Sequence, residues 1–220
     1  MNAESAEKMV LDELQVDALK ELGNVGASHA STALSNLVKK DIAIAVTYCH
    51  QDAFCALPDR YAKPGDTIVT VRIGVNGNDG GEILMVFSEA IATWLSDQVF
   101  GKEHVARKLQ EGDPDALVEI GDICIREYLN PISRFLKMDL MPSSPNVAVE
   151  QVPSGTLPSS LCMLGGNQSA VIETEFADGQ NSFNGFIMFM PKKEVQILTF
   201  KKFGVDADSQ AEMFAKFGVM

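Results

Sequence analysis

Asp17-Ala-Leu-Lys-Glu21-Leu-Gly-Asn24 returns 98 residues later as Asp115-Ala-Leu-Val-Glu119-Ile-Gly-Asp122. Asp, Ala, Leu, Glu and Gly recur in place, and so do Ser35, Lys39 and Asp41 as Ser133, Lys137 and Asp139. Leu22, Val25, Leu34 and Val38 meet Ile120, Ile123, Ile132 and Leu136 at the same offset. Polar and apolar positions repeat together, so the chain reads as an internal duplication. On a helix, Asp17, Glu21 and Asn24 share one face. Leu14, Ala18, Leu22 and Val25 form the apolar spacing of another. Ser28, Ser31 and Ser35 extend the polar stripe. Each copy thus presents an acid one turn before a second polar group, Asn24 in the first and Asp122 in the second.

Working outward, Asp12 followed by Gln15 is a capping-box pattern, and the first helix is expected over about 12–39. Gly23 and Gly26 within it cost roughly 1 kcal/mol each against Ala, which close packing would explain. A strand is expected at 42–46 and another at 67–75. A hairpin turn at 76–81 and a return strand at 82–87 follow. Ser88 is placed to cap a helix from Glu89 to about Phe100, with Trp94 on its buried side and Gly101 ending it. After a charged connection at 102–112, Asp113 as N-cap and Pro114 open the second long helix, which runs to about Lys137 with Pro131 inside it. Strands are expected at 146–151, 169–176 and 182–190, a short helix between 153 and 168, and a closing helix at 193–203.

Each half reads as long helix, strand, hairpin, helix. The expected fold is α+β and internally duplicated: two long repeat helices on one side of a largely antiparallel sheet, about a pseudo-twofold axis. The expected organisation is a flexible N-terminus (1–11), one domain (12–204) of two repeats (about 12–101 and 113–204), and a tail (205–220). No Gly-rich strand-to-helix turn supports a dinucleotide fold.

The 220 residues carry 46% hydrophobic and 22% charged residues, an ordinary globular balance. A net charge of −12 argues against nucleic-acid binding, which wants clustered Lys and Arg. No apolar run is long enough to cross a bilayer. The polar, acidic N-terminus is unlike a signal peptide. Cys49, Cys55, Cys124 and Cys162 lack zinc-type spacing and lie in apolar sequence, so buried free thiols and a cytoplasmic location are expected. His29, His50 and His104 form no metal-binding pair. Serine-nucleophile chemistry at Ser28, Ser31 or Ser35 lacks a base and an orienter at partner spacing.

The doubled Asp-x-x-x-Glu-x-x-Asn pattern resembles the CheC family of chemotaxis phosphatases, with its relatives CheX and FliY. Leu34-Ser35, Gly77 to Gly81 and Met141-Pro-Ser-Ser-Pro145 also look like the family. Its Pro, 23 residues after the Asn, is matched by Pro145 counting from Asp122, whereas Thr47 stands there counting from Asn24. Two complete repeats resemble CheC rather than the single-helix CheX. The resemblance implies hydrolysis of the aspartyl phosphate of a CheY-type response regulator, which carries its own Mg²⁺, so no cofactor of the chain itself is expected. By the same resemblance Asn24 positions the attacking water, and Glu21 pairs with the regulator's lysine. Glu119 and Asp122 form a second pair, weak or inactive because a carboxylate lacks the amide donor and repels the phosphoryl group. Asp122 also stands four residues before Arg126, at ion-pair spacing. A CheD-type deamidase is a further partner the resemblance suggests. The alternative is a non-catalytic flagellar-switch or CheD-binding adaptor that recognises the regulator without turnover.

Overall fold

The computed structural model describes residues 10–50, 62–76, 80–155, 158–162, 170–178, 184–209 and 211. Helix α1 (Glu13–Val38) opens on the expected capping box. Gln15 N–H donates to Asp12 Oδ1 at 2.9 Å, and Asp12 N–H donates to Gln15 Oε1 at 3.2 Å. Strand β1 (Ile42–His50) follows, then β2 (Thr67–Val75), β3 (Gly81–Ser88) and α2 (Glu89–Val99). The second half comprises α3 (Asp113–Leu136), β4 (Asn146–Gln151), the short α4 (Ser159–Cys162), β5 (Val171–Asp178), β6 (Asn184–Pro191) and α5 (Lys193–Phe203). The expected turn around 77–79, Cys55, the turn after Asp178, and most of the two termini lie outside the described residues.

The six strands form one sheet in the order β1-β5-β6-β3-β2-β4, and all five pairings are antiparallel. Exchanging each strand for its counterpart in the other half reproduces the order from the opposite end. The pseudo-twofold axis therefore passes between β3 and β6. The first strand of each half crosses over: β1 pairs with β5, and β4 pairs with β2. Both long helices end alike, on a left-handed lysine whose N–H donates to a serine carbonyl: Lys39 to Ser35 and Lys137 to Ser133.

The core lies between the sheet and the helices. Val69, Val71, Ile73 and Val75 of β2 join Leu19, Leu22, Leu34, Leu117, Ile120 and Ile132 of α1 and α3, with Leu95 and Phe200 from the shorter helices. The opposite face carries a smaller cluster including Ile68, Leu84, Val86, Phe186 and Met188.

The helix glycines are explained by contact. A Cβ on Gly23 would overlap Ile172 Cγ2 of β5, and one on Gly26 would lie 2.9 Å from the Tyr128 carbonyl oxygen of α3 and from Ile132 Cδ1. A backbone oxygen cannot rotate aside. Gly26→Ala is therefore expected to force α1 and α3 apart and to destabilise the fold by about 2 kcal/mol, read from urea unfolding midpoints at unchanged m-value.

Several expectations need correction. Leu14 is 54% exposed rather than part of the core, whereas Ala18 and Leu22 are buried as expected and Leu19 joins them. Ser35 leaves the outward stripe, because its hydroxyl donates to the Ile42 carbonyl and accepts from the Ile42 N–H, tying α1 to β1. Trp94, by contrast, does lie on the buried side of its helix, half-buried against the core, with Lys40 Nζ 4.9 Å from its ring centre. β1 runs to His50 because Thr47 can stay in the ladder, where its hydroxyl meets Thr174 at 3.2 Å. Pro145, its counterpart, instead stands immediately before β4, since proline cannot donate to a ladder. Asp113 is not the N-cap; Gly112 is, without a side-chain cap bond.

Asp113 is instead held by the 102–112 connection. Arg107 Nη1 donates to Asp113 Oδ2 at 2.6 Å, and its Nη2 reaches Asp113 Oδ1 at 2.8 Å and Asp97 Oδ1 at 2.7 Å. Ser96 and the Gln110 N–H also donate to Asp113, and His104 Nδ1 lies 2.8 Å from Asp97. Both aspartates are buried.

Candidate functional site

The outward face of α1 carries the residues singled out from sequence. Asp17 and Glu21 are exposed and Asn24 is half-buried. Asp17 pairs with Lys20 at 3.1 Å. Among the described residues, neither the Glu21 carboxylate nor the Asn24 carboxamide has a side-chain partner. Gly23, on the opposite side of the same turn, seats this face on β1 and β5. The hydroxyls that continue the stripe are less available than their spacing suggests: Ser31 and Thr32 both donate to the Ser28 carbonyl of their own helix.

On α3, Glu119 is exposed and Asp122 is half-buried, matching Glu21 and Asn24. Gly121 repeats the seating of Gly23: a Cβ there would lie 2.7 Å from Val71 Cγ1 of β2. The second polar group differs in state as well as type. Asp122 Oδ2 accepts from Arg126 Nε at 2.9 Å, and Oδ1 lies 2.9 Å from Arg126 Nη2. Ser28 stands at the matching position of α1, so nothing comparable ties Asn24. The hydrogen bond that Arg126 donates to Asp122 holds its guanidinium above the usual range.

Between α1 and α3 lies an open groove of about 670 Å³, lined by Ser28, Thr32 and Asn36 on one side and by Ile123 and Glu127 on the other. It begins one turn beyond Asn24. His29 also lines it, exposed and more than two turns along α1 from Glu21, so no nucleophile-base-orienter set forms there. Among the described residues there is no cluster of His, Cys, Asp or Glu fit to hold a metal ion. Cys49 and Cys124 are free thiols; burial pushes them up to about 11 and about 12, which leaves them unreactive at neutral pH. The Cys162 side chain lies outside the described residues.

Sequence reasoning missed two features. Arg107 lay within a connection read only as charged, and nothing in its spacing marks its partners. Tyr128 follows Arg126 and Glu127 with nothing in its spacing to mark it, yet its hydroxyl is buried and has no hydrogen-bond partner among the described residues. No helix among the described residues is long and apolar enough to cross a membrane.

Solved structures of the same α+β fold, and one relative in sequence, match most of the chain. The CheC-like family model matches residues 14–46, which span α1 and the start of β1. The CheY-P phosphatase CheC of Bacillus subtilis (strain 168) is 25% identical over 175 residues, 76% of this chain and 82% of that protein. Thermotoga maritima FliY superposes with a TM-score of 0.66 at 18% identity, covering 89% of this chain and 98% of the other. The FliM middle domain from H. pylori gives 0.56 at 13% identity, covering 87% and 99%. The resemblance to the CheC family is therefore shown in sequence and in fold.

Proposed function

We propose that this chain hydrolyses the aspartyl phosphate of a CheY-type response regulator in chemotaxis signalling, with Glu21 and Asn24 as the working pair. The observation that carries this reading is the Asn24 carboxamide: surface-accessible, without a partner among the described residues, and one turn from an equally unpaired carboxylate. The name of the Bacillus subtilis relative, CheY-P phosphatase, supports it.

An acyl phosphate is already activated, and the regulator supplies its own Mg²⁺. What remains is to place a water in line behind phosphorus. Water oxygen bonds to phosphorus, the bond to the aspartyl oxygen breaks, and the regulator's carboxylate leaves with inorganic phosphate as the other product. An amide suits the placement because it offers two donors and an acceptor at once. Such positioning supplies several kcal/mol without a general base of tuned pKa. Glu21 orients the docked regulator by pairing with its active-site lysine, which fixes register more than it adds affinity.

In the second copy the Asp122 carboxylate offers no donor and both its oxygens are held by Arg126. Asp122→Ala is expected to leave phosphate release near the wild-type rate, measured in steady state with a phosphorylated CheY-type regulator. That closed pair also favours a second reading, for the chain as a whole: a non-catalytic flagellar-switch or CheD-binding adaptor that recognises the regulator without turnover. The same assay separates the two. An enzyme releases many phosphates per chain; an adaptor binds the regulator saturably and adds nothing to its intrinsic loss of phosphate.

A further inference from the structure

Beneath their matching outer faces, the two halves are packed differently. Tyr128 of α3 lies under α1, with its ring edge-on to Phe189 of β6 at 6.0 Å between centroids. Gly26 makes the room, since a Cβ there would lie 3.0 Å from Tyr128 Cδ2. The phenol oxygen extends to Gly23, 3.8 Å from where a Cβ would stand, directly behind Asn24 in the chain. At the offset of the repeat, Tyr128 corresponds to Ala30 and Gly26 to Cys124; in the β3–β6 ladder, where Ile83 faces Phe189 and Met85 faces Ile187, the pseudo-twofold axis exchanges Phe189 with Met85. Ala30, Cys124 and Met85 do not fill the equivalent space. They line a small apolar cavity of about 10 Å³.

With no hydrogen-bond partner among the described residues, the buried Tyr128 hydroxyl carries a stability cost, because it loses its hydration and gains nothing in return. Burial accordingly drives the phenol above its usual range. Phenylalanine would keep the ring and its contact with Phe189 while removing that cost. Stability alone therefore does not account for the oxygen, and what distinguishes its position is its place beneath Gly23, beside the Ile172 and Thr47 methyl groups that lie nearer to that residue.

We propose that Tyr128 is a positioning residue for the Glu21–Asn24 face, a wedge from the second repeat whose phenol oxygen sets the height and roll of α1 at Gly23. This rests on the phosphatase reading above. Catalysis by placement is steep in distance, about a hundredfold for a 1 Å error, so shortening the wedge changes turnover before it changes docking. The α3 face, supported by Ala30 and a void, lacks such a wedge, in keeping with its tied Asp122.

The test compares wild type with Tyr128→Phe and Tyr128→Leu, using phosphorylated CheY-type regulator, urea unfolding, and the side-chain amide signals of Asn24 in ¹H–¹⁵N NMR. Tyr128→Phe is expected to be at least as stable as wild type, yet to lose about fivefold in kcat with KM within about twofold, and to shift the Asn24 amide signals. Tyr128→Leu should lose more of kcat, and stability as well. A purely structural Tyr128 predicts the opposite for Tyr128→Phe: unchanged kcat and unchanged Asn24 signals, and either result overturns the proposal. If wild type itself shows no turnover, the phosphatase reading fails, and the Asn24 signals in the well-folded Tyr128→Phe protein still decide whether the wedge positions that side chain.

Discussion

Asn24→Ala is expected to lower phosphate release from a phosphorylated CheY-type regulator by about a hundredfold, equivalent to about 2.7 kcal/mol of barrier. The substitution removes both donors and the acceptor that would hold a water in line, and leaves the activated acyl phosphate to react with disordered solvent. Binding should change little, because the docking charge on Glu21 and the surrounding helix face remain. Stability should be unaffected as well: the carboxamide has no partner among the described residues, and alanine is the better helix former. The signature is therefore a fall in kcat at nearly constant KM and melting temperature. Loss of activity in Asp122→Ala with full activity in Asn24→Ala would reverse the roles assigned to the two helices.

Arg107→Ala should be the most damaging change to the fold itself, at about 3 kcal/mol, or a melting temperature lower by about 10 °C. The guanidinium is 20% exposed, whereas the Asp97 and Asp113 side chains it binds are each 4% exposed. Removing it strands two neighbouring buried carboxylates that repel each other. The native state shows how far they depend on it. Arg107 holds the Asp113 carboxyl far below the usual carboxylate range against the opposing effect of burial, with further help from Ser96 and Gln110. Burial acts to raise Asp97, but hydrogen bonds from Arg107 and His104 outweigh it and leave that carboxyl lowered too.

The sign of the pH dependence follows. Carboxyls depressed in the folded state bind protons more readily when unfolded, so their stabilisation is complete above the unfolded carboxylate range of about pH 4 and disappears as pH falls through the folded values. Thermal unfolding from pH 7 downward should show wild type losing stability steeply below about pH 4. Arg107→Ala should start lower and fall less. Parallel curves would mean that the network contributes little.

The duplication was legible because it wrote itself twice, in polar and apolar positions together. Once two copies were recognised, helix bounds, most strand bounds and the placement of both long helices on one side of the sheet followed from capping, alternation and turn chemistry. Glu21 and Asn24 were legible for the same reason, since exposure at helical spacing is a local property. Long-range partnership was not. Ser35 looked like another outward hydroxyl, but only the path of β1 shows that it closes on Ile42. Leu14 fitted an apolar stripe by spacing, yet it stays exposed while Leu11, three residues earlier, is buried in the core. Arg107, Asp97 and Asp113 are joined by the folding back of a connection without regular structure, and Tyr128 depends on a glycine in the opposite helix. In each case the deciding information lies in another part of the chain.

The crossing of β1 onto β5 and of β4 onto β2 means that neither repeat owns a closed sheet. A half alone would offer a bare ladder on β2 or β5 and a strand with nothing to dock against, so it could complete itself only by embracing a second half. The link at 102–112 thus keeps two mutually completing pieces at high effective concentration. Joined in this way, the two pieces need not be identical: one helix carries an amide, the other a carboxylate tied to an arginine.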